Sequence, residues 1–336
     1  MRQSGILMHI SSLPGPDGIG SLGPEAYAFA DFLHESGMGI WQVLPMGPTG
    51  YGESPYQSTS IFAGNPLLIS LDLLAEDGLL QLRPEDRFSP ENEEQVDYPQ
   101  VRAHKLKLLR DSFHASEKSL AGEIRAFEAA CSWVADFALF TALKEHFDNA
   151  MWTSWPDPEA RHRTECALEK YRESLREEIA FHTWCQYIFH VQWHRLKDYC
   201  NALGIKLFGD MPIYVAEDSA DTWTHPEVFQ LDEEGVPRQI AGVPPDYFSE
   251  DGQLWGNPLY RWSYLKRHGY RWWVDRMAHM AGMYDIIRVD HFIGFANYYT
   301  VAHGAPNAKK GRWVPGPGEA LFKKLNKALP GLDIVG

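Results

Sequence analysis

The sequence predicts an α/β fold: a barrel of the (β/α)8 TIM type, incomplete here with about five barrel strands, that carries a helical insertion subdomain. Three observations support this prediction. Short apolar runs end abruptly in charge or glycine, as buried parallel strands do, and residues 286–290 are the clearest case. A strand–helix–strand pattern opens the chain, and such crossovers build parallel sheets. A long charged stretch with helical periodicity then separates the first strands from the later ones.

The first crossover lies near the start of the chain. We predict a strand at 5–10, a helix at 24–37 with apolar positions at helical spacing, and a strand at 39–45. The turns that follow the two strands contain several glycines, but neither turn has the G-x-G-x-x-G spacing or the Lys-Ser/Thr pair of a nucleotide loop. We therefore interpret both as rigid turns.

The composition of the chain changes near residue 84. Residues 84–198 are predicted to form the helical insertion subdomain, between a first segment at 1–83 with the first barrel strands and a third at 199–336 that continues the barrel. Its charged residues are typical of solvated helix faces. The helices predicted in and just after it lie at 101–113, 121–146, 161–177 and 179–203.

The strand pattern returns after residue 204. The predicted elements are a strand at 205–215, a loop-like segment at 216–261, a helix at 264–282, a strand at 284–290, a loop at 291–318, a helix at 319–328 and a strand at 332–335. With the two strands near the start this makes five strands, whereas a closed parallel barrel has eight. We therefore expect an incomplete barrel.

Composition and charge argue against several classes of function. The 336 residues carry a net charge of −14, which argues against a nucleic acid as partner because phosphate contacts dominate such binding. The four cysteines show neither C-x-x-C spacing nor the density of a disulfide scaffold. The sequence shows no secretory segment and no apolar run of transmembrane length, so we expect a cytoplasmic protein with no membrane partner.

Two carboxylates are expected at the carboxyl ends of neighbouring predicted strands, the edge where parallel barrels place their active sites. An apolar run leads into Asp210 in one strand, and Asp290 ends the next, with Arg288 and His291 beside it. Arg288 and Asp290 are two positions apart and share one face of their strand. One interpretation is a structural ion pair that caps the strand. The other is sugar-bond chemistry, in which a nearby guanidinium favours the ionised form of a carboxylate nucleophile.

Aromatic residues are abundant, with 12 Trp, 15 Tyr and 17 Phe. Many of them lie in Gly- and Pro-rich stretches rather than in periodic apolar segments. Flat rings in loops suit the apolar faces of sugars, although such rings also serve simply to pack loops down.

Seven short motifs occur along the chain in a particular order. They are Ser-Ser-Leu-Pro at 11–14, Trp-Gln-Val-Leu-Pro at 41–45, Ser-Pro-Tyr-Gln at 54–57, Gly-Asp-Met-Pro at 209–212, Pro-Pro-Asp-Tyr-Phe at 244–248, Leu-Trp-Gly-Asn-Pro at 254–258 and Arg-Val-Asp-His-Phe at 288–292. Together they closely resemble the 4-alpha-glucanotransferases, also called amylomaltases or disproportionating enzymes, of glycoside hydrolase family 77. The resemblance covers essentially the whole chain.

The resemblance implies that Asp290 is the catalytic nucleophile and that Arg288 orients it. It also implies a set of substrate-binding residues: Asp210, His291, Tyr56, Ser54, Asp246, Tyr247, Phe248, Trp255 and Asn257. Of these, Asp210 and His291 would hydrogen-bond the sugar whose bond is cleaved, and Tyr56 would stack on it. The implied partners are an α-1,4-glucan donor and a sugar acceptor. The implied chemistry needs no cofactor and no metal.

The predicted function is transfer of α-1,4-glucan segments between maltooligosaccharides or starch- and glycogen-type glucans by a retaining double displacement. The alternative hypotheses are an α-glucan hydrolase of the same chemistry and a non-catalytic glucan-binding fragment. The second alternative arises because the family's general acid/base is a glutamate in a Glu-Asp-Leu-Gly motif, which we expect beyond residue 336. We therefore expect the chain 1–336 by itself to be inactive. The oligomeric state and the preferred glucan length stay open.

Overall fold

The strands of the protein form two separate sheets. The computed structural model describes residues 3–88 and 94–336; residues 1–2 and 89–93, which belong to the first and second predicted segments, lie outside the described part. The strands in the described part are β1 (Gly5–Leu7), β2 (Ile40–Gln42), β3 (Lys206–Pro212), β4 (Gln239–Val243), β5 (Gln253–Pro258), β6 (Ile286–Asp290), β7 (Asn297–Ala302), β8 (Arg312–Pro315) and β9 (Ile334–Val335).

The helices concentrate between β2 and β3, where the helical insertion was predicted. In chain order the described α-helices are α1 (Pro24–Glu35), α2 (Leu71–Glu76), α3 (Tyr98–Ser116), α4 (Ala121–Ala130), α5 (Val134–His146), α6 (Pro158–Arg161), α7 (Glu165–Ser174), α8 (Arg176–Ala202), α9 (Ala220–Thr224), α10 (Trp262–Arg267), α11 (Arg271–Met283) and α12 (Glu319–Ala328). No single helix in the described ranges is long and apolar enough to cross a membrane; the bent pair of α4 and α5 passes that test jointly, by length and composition only.

The first sheet consists of parallel strands in the order β1-β2-β3-β6-β9. The prediction of five parallel strands is therefore confirmed within the described residues. Its central strands bury one face almost completely: Trp41, Leu207 and Ile287 lie on the same face and are each at most 1% exposed. The charged residues of β3 and β6 come at the carboxyl ends of these apolar runs.

Close packing behind β3 explains the glycine at position 209. A Cβ atom at Gly209 would lie 2.3 Å from the ring of Tyr284, which is itself buried. Real side chains do not approach so closely, so only glycine lets the ring that precedes β6 pack directly on the backbone of β3. Glycine at this position therefore lets Tyr284 pack against the strand that carries Asp210.

The prediction of loops at 216–261 and 291–318 is wrong. Each segment contains two strands, and together they form an antiparallel sheet in the order β5-β4-β7-β8. The pairing joins residues far apart in sequence, such as Gln239 with Ala302. Local patterning could not show this sheet, because the segments are rich in Gly and Pro and its two hairpins are joined by β4 and β7, about sixty residues apart.

Two predicted helices are each divided in two. The segment 121–146 breaks between α4 and α5, and the segment 264–282 breaks between α10 and α11 at Tyr270, which has a left-handed φ of +56°. The region between β2 and β3 is largely helical, and its apolar side chains belong to the same buried cluster as the strands. It therefore packs against the sheet that carries the charged residues.

Candidate active site

The carboxyl ends of β3 and β6 bring the predicted charges side by side. The two strands pair in parallel, with Asp210 beside Arg288 and Pro212 beside Asp290. Because neighbouring residues in paired strands project from the same face of the sheet, the register places all three charged side chains together. The prediction that Asp210, Arg288 and Asp290 form one cluster is confirmed.

Arg288 bridges the two carboxylates. Its Nη1 donates to Asp210 Oδ1 and its Nη2 donates to Asp290 Oδ1, both at 2.6 Å. Partial burial alone would lower the pKa of Arg288, but the hydrogen bonds and charges of the two carboxylates outweigh it and raise that pKa. The guanidinium therefore stays charged and holds both acids.

The two carboxylates differ strongly in exposure. The side chain of Asp210 is 1% exposed, whereas that of Asp290 is 39% exposed. The ion pair between Arg288 and Asp290 that was one interpretation of the sequence does form. Yet it leaves Asp290 open to solvent, while Asp210 serves as the buried side of the bridge.

Tyr56 completes the polar contacts of Asp210. Its hydroxyl donates to Asp210 Oδ2 at 2.7 Å, so both carboxylate oxygens accept a hydrogen bond from a side chain. Burial, this hydrogen bond and the nearby negative charges raise the pKa of Tyr56 well above its ordinary value of 10.0. The phenol remains protonated and anchors the aromatic ring beside the carboxylates.

His291 and Trp255 form the other side of the site. The backbone of His291 is left-handed, with φ of +56°, and its ring stands edge-on to Trp255 with centroids 4.8 Å apart. Burial lowers the pKa of His291, although the charge of Asp290 opposes this. Its Nε2 atom is buried and has no hydrogen-bond partner among the described residues. The ring of His291 nevertheless lies at the edge of a cavity that Trp255 also lines.

A cavity of about 430 Å³ lies beside Tyr56, Asp290 and His291. Its lining combines aromatic faces with polar groups, and it includes Tyr56, Gln57, Trp255, Asn257, Asp290 and His291. Pockets of this size with apolar walls and a few convergent polar groups are typical small-molecule sites. A single exposed carboxylate, Asp290, lies in that lining within the described part of the chain.

Comparison with known proteins identifies the family. The sequence profile of the glycoside hydrolase 77 family, described as 4-alpha-glucanotransferase, matches residues 8–336. The chain belongs to this family. Its predicted resemblance is thereby confirmed.

Individual relatives agree with this assignment. The chain is 50% identical to a 4-alpha-glucanotransferase of Thermus thermophilus and 47% identical to one of Streptococcus pneumoniae, over 97% and 99% of its own length. It spans about two thirds of those relatives, 65% and 67%. The fold is that of an amylomaltase from Streptococcus agalactiae solved in complex with acarbose, with a TM-score of 0.96, 44% identity and coverage of 99% of this chain and 68% of that one.

Not every residue that the family resemblance implied lies at the cavity. Tyr247 and Phe248 are 97% and 90% exposed and stand in the turn between β4 and β5, with their rings edge-to-face at 5.7 Å. Asp246 organises that turn, since its Oδ1 accepts from the backbone N–H groups of Phe248 and Ser249 at 2.9 Å. The structure thus leaves these three predicted residues outside the cavity that Asp290 lines.

Two other predicted residues have structural partners. Asn257 lines the cavity, but its Nδ2 donates to the carbonyl of Val215 at 2.7 Å, which leaves its amide oxygen for other contacts. Ser54 accepts a weak hydrogen bond of 3.3 Å from the backbone N–H of Tyr56 and is not part of the cavity lining. Its side chain therefore contacts the loop that carries the tyrosine.

Sequence reasoning missed several residues of the cavity. Gln57 lines it and ties the loop of Tyr56 to β5, because its Nε2 donates to the carbonyl of Trp255 at 3.3 Å. Tyr214 and Gln253 also line it. Tyr214 lies two residues after the motif at 209–212 and Gln253 directly precedes the motif at 254–258, so adjacency to a motif was the available signal. No group of three or more His, Cys, Asp or Glu side chains within residues 3–88 and 94–336 is placed to hold a metal ion.

Proposed function

We propose that this chain carries the nucleophile and the sugar-binding wall of a 4-alpha-glucanotransferase that moves α-1,4-glucan segments with retention of configuration. The observation that carries the proposal is the bridge of Arg288 to buried Asp210 and exposed Asp290 at 2.6 Å. A carboxylate nucleophile must be ionised, accessible and fixed in direction. Asp290 meets each of these requirements at the edge of a ligand-sized cavity.

In the first step an oxygen of Asp290 attacks the anomeric carbon of a glucosyl unit. A new C1–O bond to the aspartate forms while the glycosidic C1–O bond breaks, and the departing 4-oxygen takes a proton from a general acid. Arg288 holds one oxygen of Asp290, so the other is free to face the sugar. The product is a β-linked glucosyl ester with the cleaved chain end released.

In the second step the 4-hydroxyl of an acceptor sugar attacks the same carbon. Its proton passes to the group that acted as acid, and the bond between C1 and Asp290 breaks. Two inversions restore the α configuration. Transfer is favoured over hydrolysis where a sugar occupies the acceptor side and keeps water from the ester.

The remaining residues of the cavity suit a sugar in this position. The ring of Tyr56 is held by Asp210, and Trp255 offers a second aromatic surface across the cavity. His291 also lines the cavity, where its imidazole can bind a sugar hydroxyl. We therefore assign Tyr56 and Trp255 to contacts with the sugar face and His291 to its polar edge.

The general acid/base is a second group that the reaction requires. Asp210 is unsuited to that role, because both of its oxygens are already hydrogen-bonded and its side chain is buried. We expect a protein limited to residues 1–336 to bind maltooligosaccharides without transferring glucosyl units. Glucosyl transfer by that protein would contradict this part of the proposal.

The test is the Asp290→Asn change in the protein expressed from its complete reading frame. Incubation with maltotriose should give longer and shorter oligosaccharides for the unchanged protein, and we expect the variant to lose this activity at least about a thousandfold. Asp275→Asn is the matched control, since Asp275 is an exposed carboxylate on α11 that pairs with Arg271 at 3.7 Å. Shorter products without longer ones would instead indicate a hydrolase.

A further inference from the structure

The loop that carries Tyr56 is a narrow hairpin, which we call the tyrosine loop (residues 47–58). The backbone N–H of Gly50 donates to the carbonyl of Gln57 at 2.8 Å, and Thr49 pairs with Ser58 in an antiparallel bridge. These contacts close the base of the loop but leave its tip to be fixed by other residues. The tip contains Glu53, three positions before Tyr56.

Glu53 adopts a backbone conformation that is unfavourable for a residue with a side chain. Its φ is +53°, directly after Gly52 with φ of +70°. A non-glycine residue in this region costs about 1–3 kcal/mol and persists only where its surroundings hold it there. The side chain of Glu53 therefore has contacts that compensate for the backbone strain.

Those contacts come from two directions. Arg102 Nη2 donates to Glu53 Oε1 at 2.8 Å, and the hydroxyl of Thr49 donates to Glu53 Oε2. Thr49 belongs to the tyrosine loop itself, whereas Arg102 lies on α3 in the helical region. Glu53 thus joins the tip of the loop to an element outside it.

The helix that supplies Arg102 is firmly anchored. One turn further along α3, Lys105 is fully buried and forms an ion pair with Asp17 at 3.5 Å. Removing either partner of a buried pair is strongly unfavourable, so this contact keeps α3 in place. On the opposite side, Gln57 bonds to the carbonyl of Trp255. The tyrosine loop is therefore held between the helical region and the second sheet.

We propose that Glu53 and Arg102 are positioning residues that set the location of the Tyr56 ring in the cavity. The inference rests on the proposed function, in which that ring contacts the sugar. Without the ion pair the strained tip can relax, and the ring and its hydroxyl lose their fixed place beside Asp210. Misplacement of a positioning group by about 1 Å can cost a hundredfold in rate.

The experiment measures kcat and KM for maltotriose disproportionation with the protein from the complete reading frame. Glu53→Gln and Arg102→Gln should each lower kcat/KM about tenfold, and the double variant should be no worse than either single change. In a Tyr56→Ala background Glu53→Gln should have no further effect, because the residue on which it acts is gone. Acarbose affinity, measured by calorimetry, should follow the same pattern.

A matched control comes from the same helical region. Arg172 and Glu165 form an Arg–Glu pair at 2.7 Å on the surface of α7, a helix that does not contribute to the contacts of the tyrosine loop described above. Arg172→Gln should leave kcat/KM unchanged. Should Glu53→Gln lower the melting temperature, Arg102→Gln carries the test, since it changes no residue of the tyrosine loop itself.

Three outcomes would overturn the inference: no loss from either single change, additive losses in the double variant, or an equal loss in the Tyr56→Ala background. Each of these can be separated from failure of the proposed function. If Asp290→Asn abolishes transfer while Glu53→Gln and Arg102→Gln do not affect it, only the positioning role is rejected. If Asp290→Asn retains transfer, the proposed function itself is rejected.

Discussion

At the scale of single residues, Arg288 is the side chain on which the site depends most. It holds one buried and one exposed carboxylate with separate nitrogens of the same planar group. A lysine carries the same charge but presents it at one point on a flexible stem, so it cannot reproduce this fork. The geometry of Arg288, and not its charge alone, is what directs Asp290 at the cavity.

We therefore expect Arg288→Lys to lower kcat about a hundredfold while leaving the fold intact. Steady-state kinetics with maltotriose and a thermal melt would check both statements. The control is Arg271→Lys, at an exposed arginine that forms a weak pair within α11. A kcat within about twofold of the unchanged protein would show that charge alone suffices.

A second residue-scale prediction concerns Gly209 in β3. Alanine there would place its Cβ 2.3 Å from the buried ring of Tyr284, so the strand or the ring must shift. We expect Gly209→Ala to destabilise the protein by several kcal/mol, on the order of other overpacked core sites. Gly282→Ala is the matched control, because nothing lies within 4 Å of its added carbon on α11. That change should stabilise slightly. Equal melting temperatures for the two variants would contradict this account.

At the scale of elements, the short helix α9 is tied to the stretch that follows the tyrosine loop. Asp221 on α9 is 3% exposed, and its Oδ2 accepts from the backbone N–H of Ile61 at 3.0 Å. Burial raises the pKa of Asp221 to about 6, although the hydrogen bond from Ile61 and the charge of Arg276 oppose the change. The folded protein thus holds this proton more tightly than the unfolded chain does.

The raised pKa of Asp221 predicts the direction in which the stability of the protein changes with pH. A raised carboxyl pKa contributes stability that is complete below the ordinary value of 3.8 and is lost as the pH rises through about 6. Asparagine keeps an oxygen acceptor for Ile61 and never ionises. The melting temperature of Asp221→Asn, relative to that of the unchanged protein, should therefore rise as the pH increases from 4 to 7.

Thermal melts across that range measure the difference directly. Ser219→Ala serves as the control, because Ser219 caps α9 through an uncharged hydroxyl. Its effect on the melting temperature should not vary with pH in the same way. A constant difference between Asp221→Asn and the unchanged protein would contradict the assigned pKa.

The elements also show what the sequence could and could not predict. The strands of the first sheet were predictable because apolar runs that end in charge are a local signal, as at Asp290. The strands of the second sheet were not, since β4 is defined by pairing with β7 about sixty residues later. The breaks at Tyr270 and between α4 and α5 were missed for a similar reason: helical periodicity continues across them.

The residues of the candidate site also divide into those that the sequence could predict and those that it could not. Asp210, Arg288 and Asp290 could be grouped from sequence, because parallel strands bring their carboxyl ends to one edge. The hydrogen bond between Tyr56 and Asp210 spans 154 positions and became visible only in the fold. The family resemblance implied Tyr247 and Phe248 as binding residues, but their exposure depends on where a turn points, which no local pattern determines.

At the scale of the whole molecule, the helical region supports the first sheet through a buried charge pair. Lys105 on α3 is fully buried against Asp17, a residue of the loop that follows β1. Burial lowers the pKa of Lys105, and the charge of Asp17 opposes this. The pair therefore connects two parts of the chain that were predicted to belong to different segments, 1–83 and 84–198.

We expect Lys105→Met to destabilise the protein by about 3–5 kcal/mol, because it leaves Asp17 buried without its main partner. The double variant Asp17→Asn/Lys105→Met should recover part of that loss. Chemical denaturation with matched m-values would measure both changes. A double variant that is less stable than Lys105→Met would contradict the buried-pair explanation.

The central claim for the whole molecule is that Asp290 forms the covalent bond to the sugar. Its most direct test is to incubate the protein from the complete reading frame with a 5-fluoroglucosyl fluoride, which slows release of the glucosyl ester, and to locate the adduct by peptide mass spectrometry. The account predicts one added sugar on the peptide that contains Asp290, and none in Asp290→Asn. An adduct on another residue, or glucosyl transfer that persists in Asp290→Asn, would contradict it.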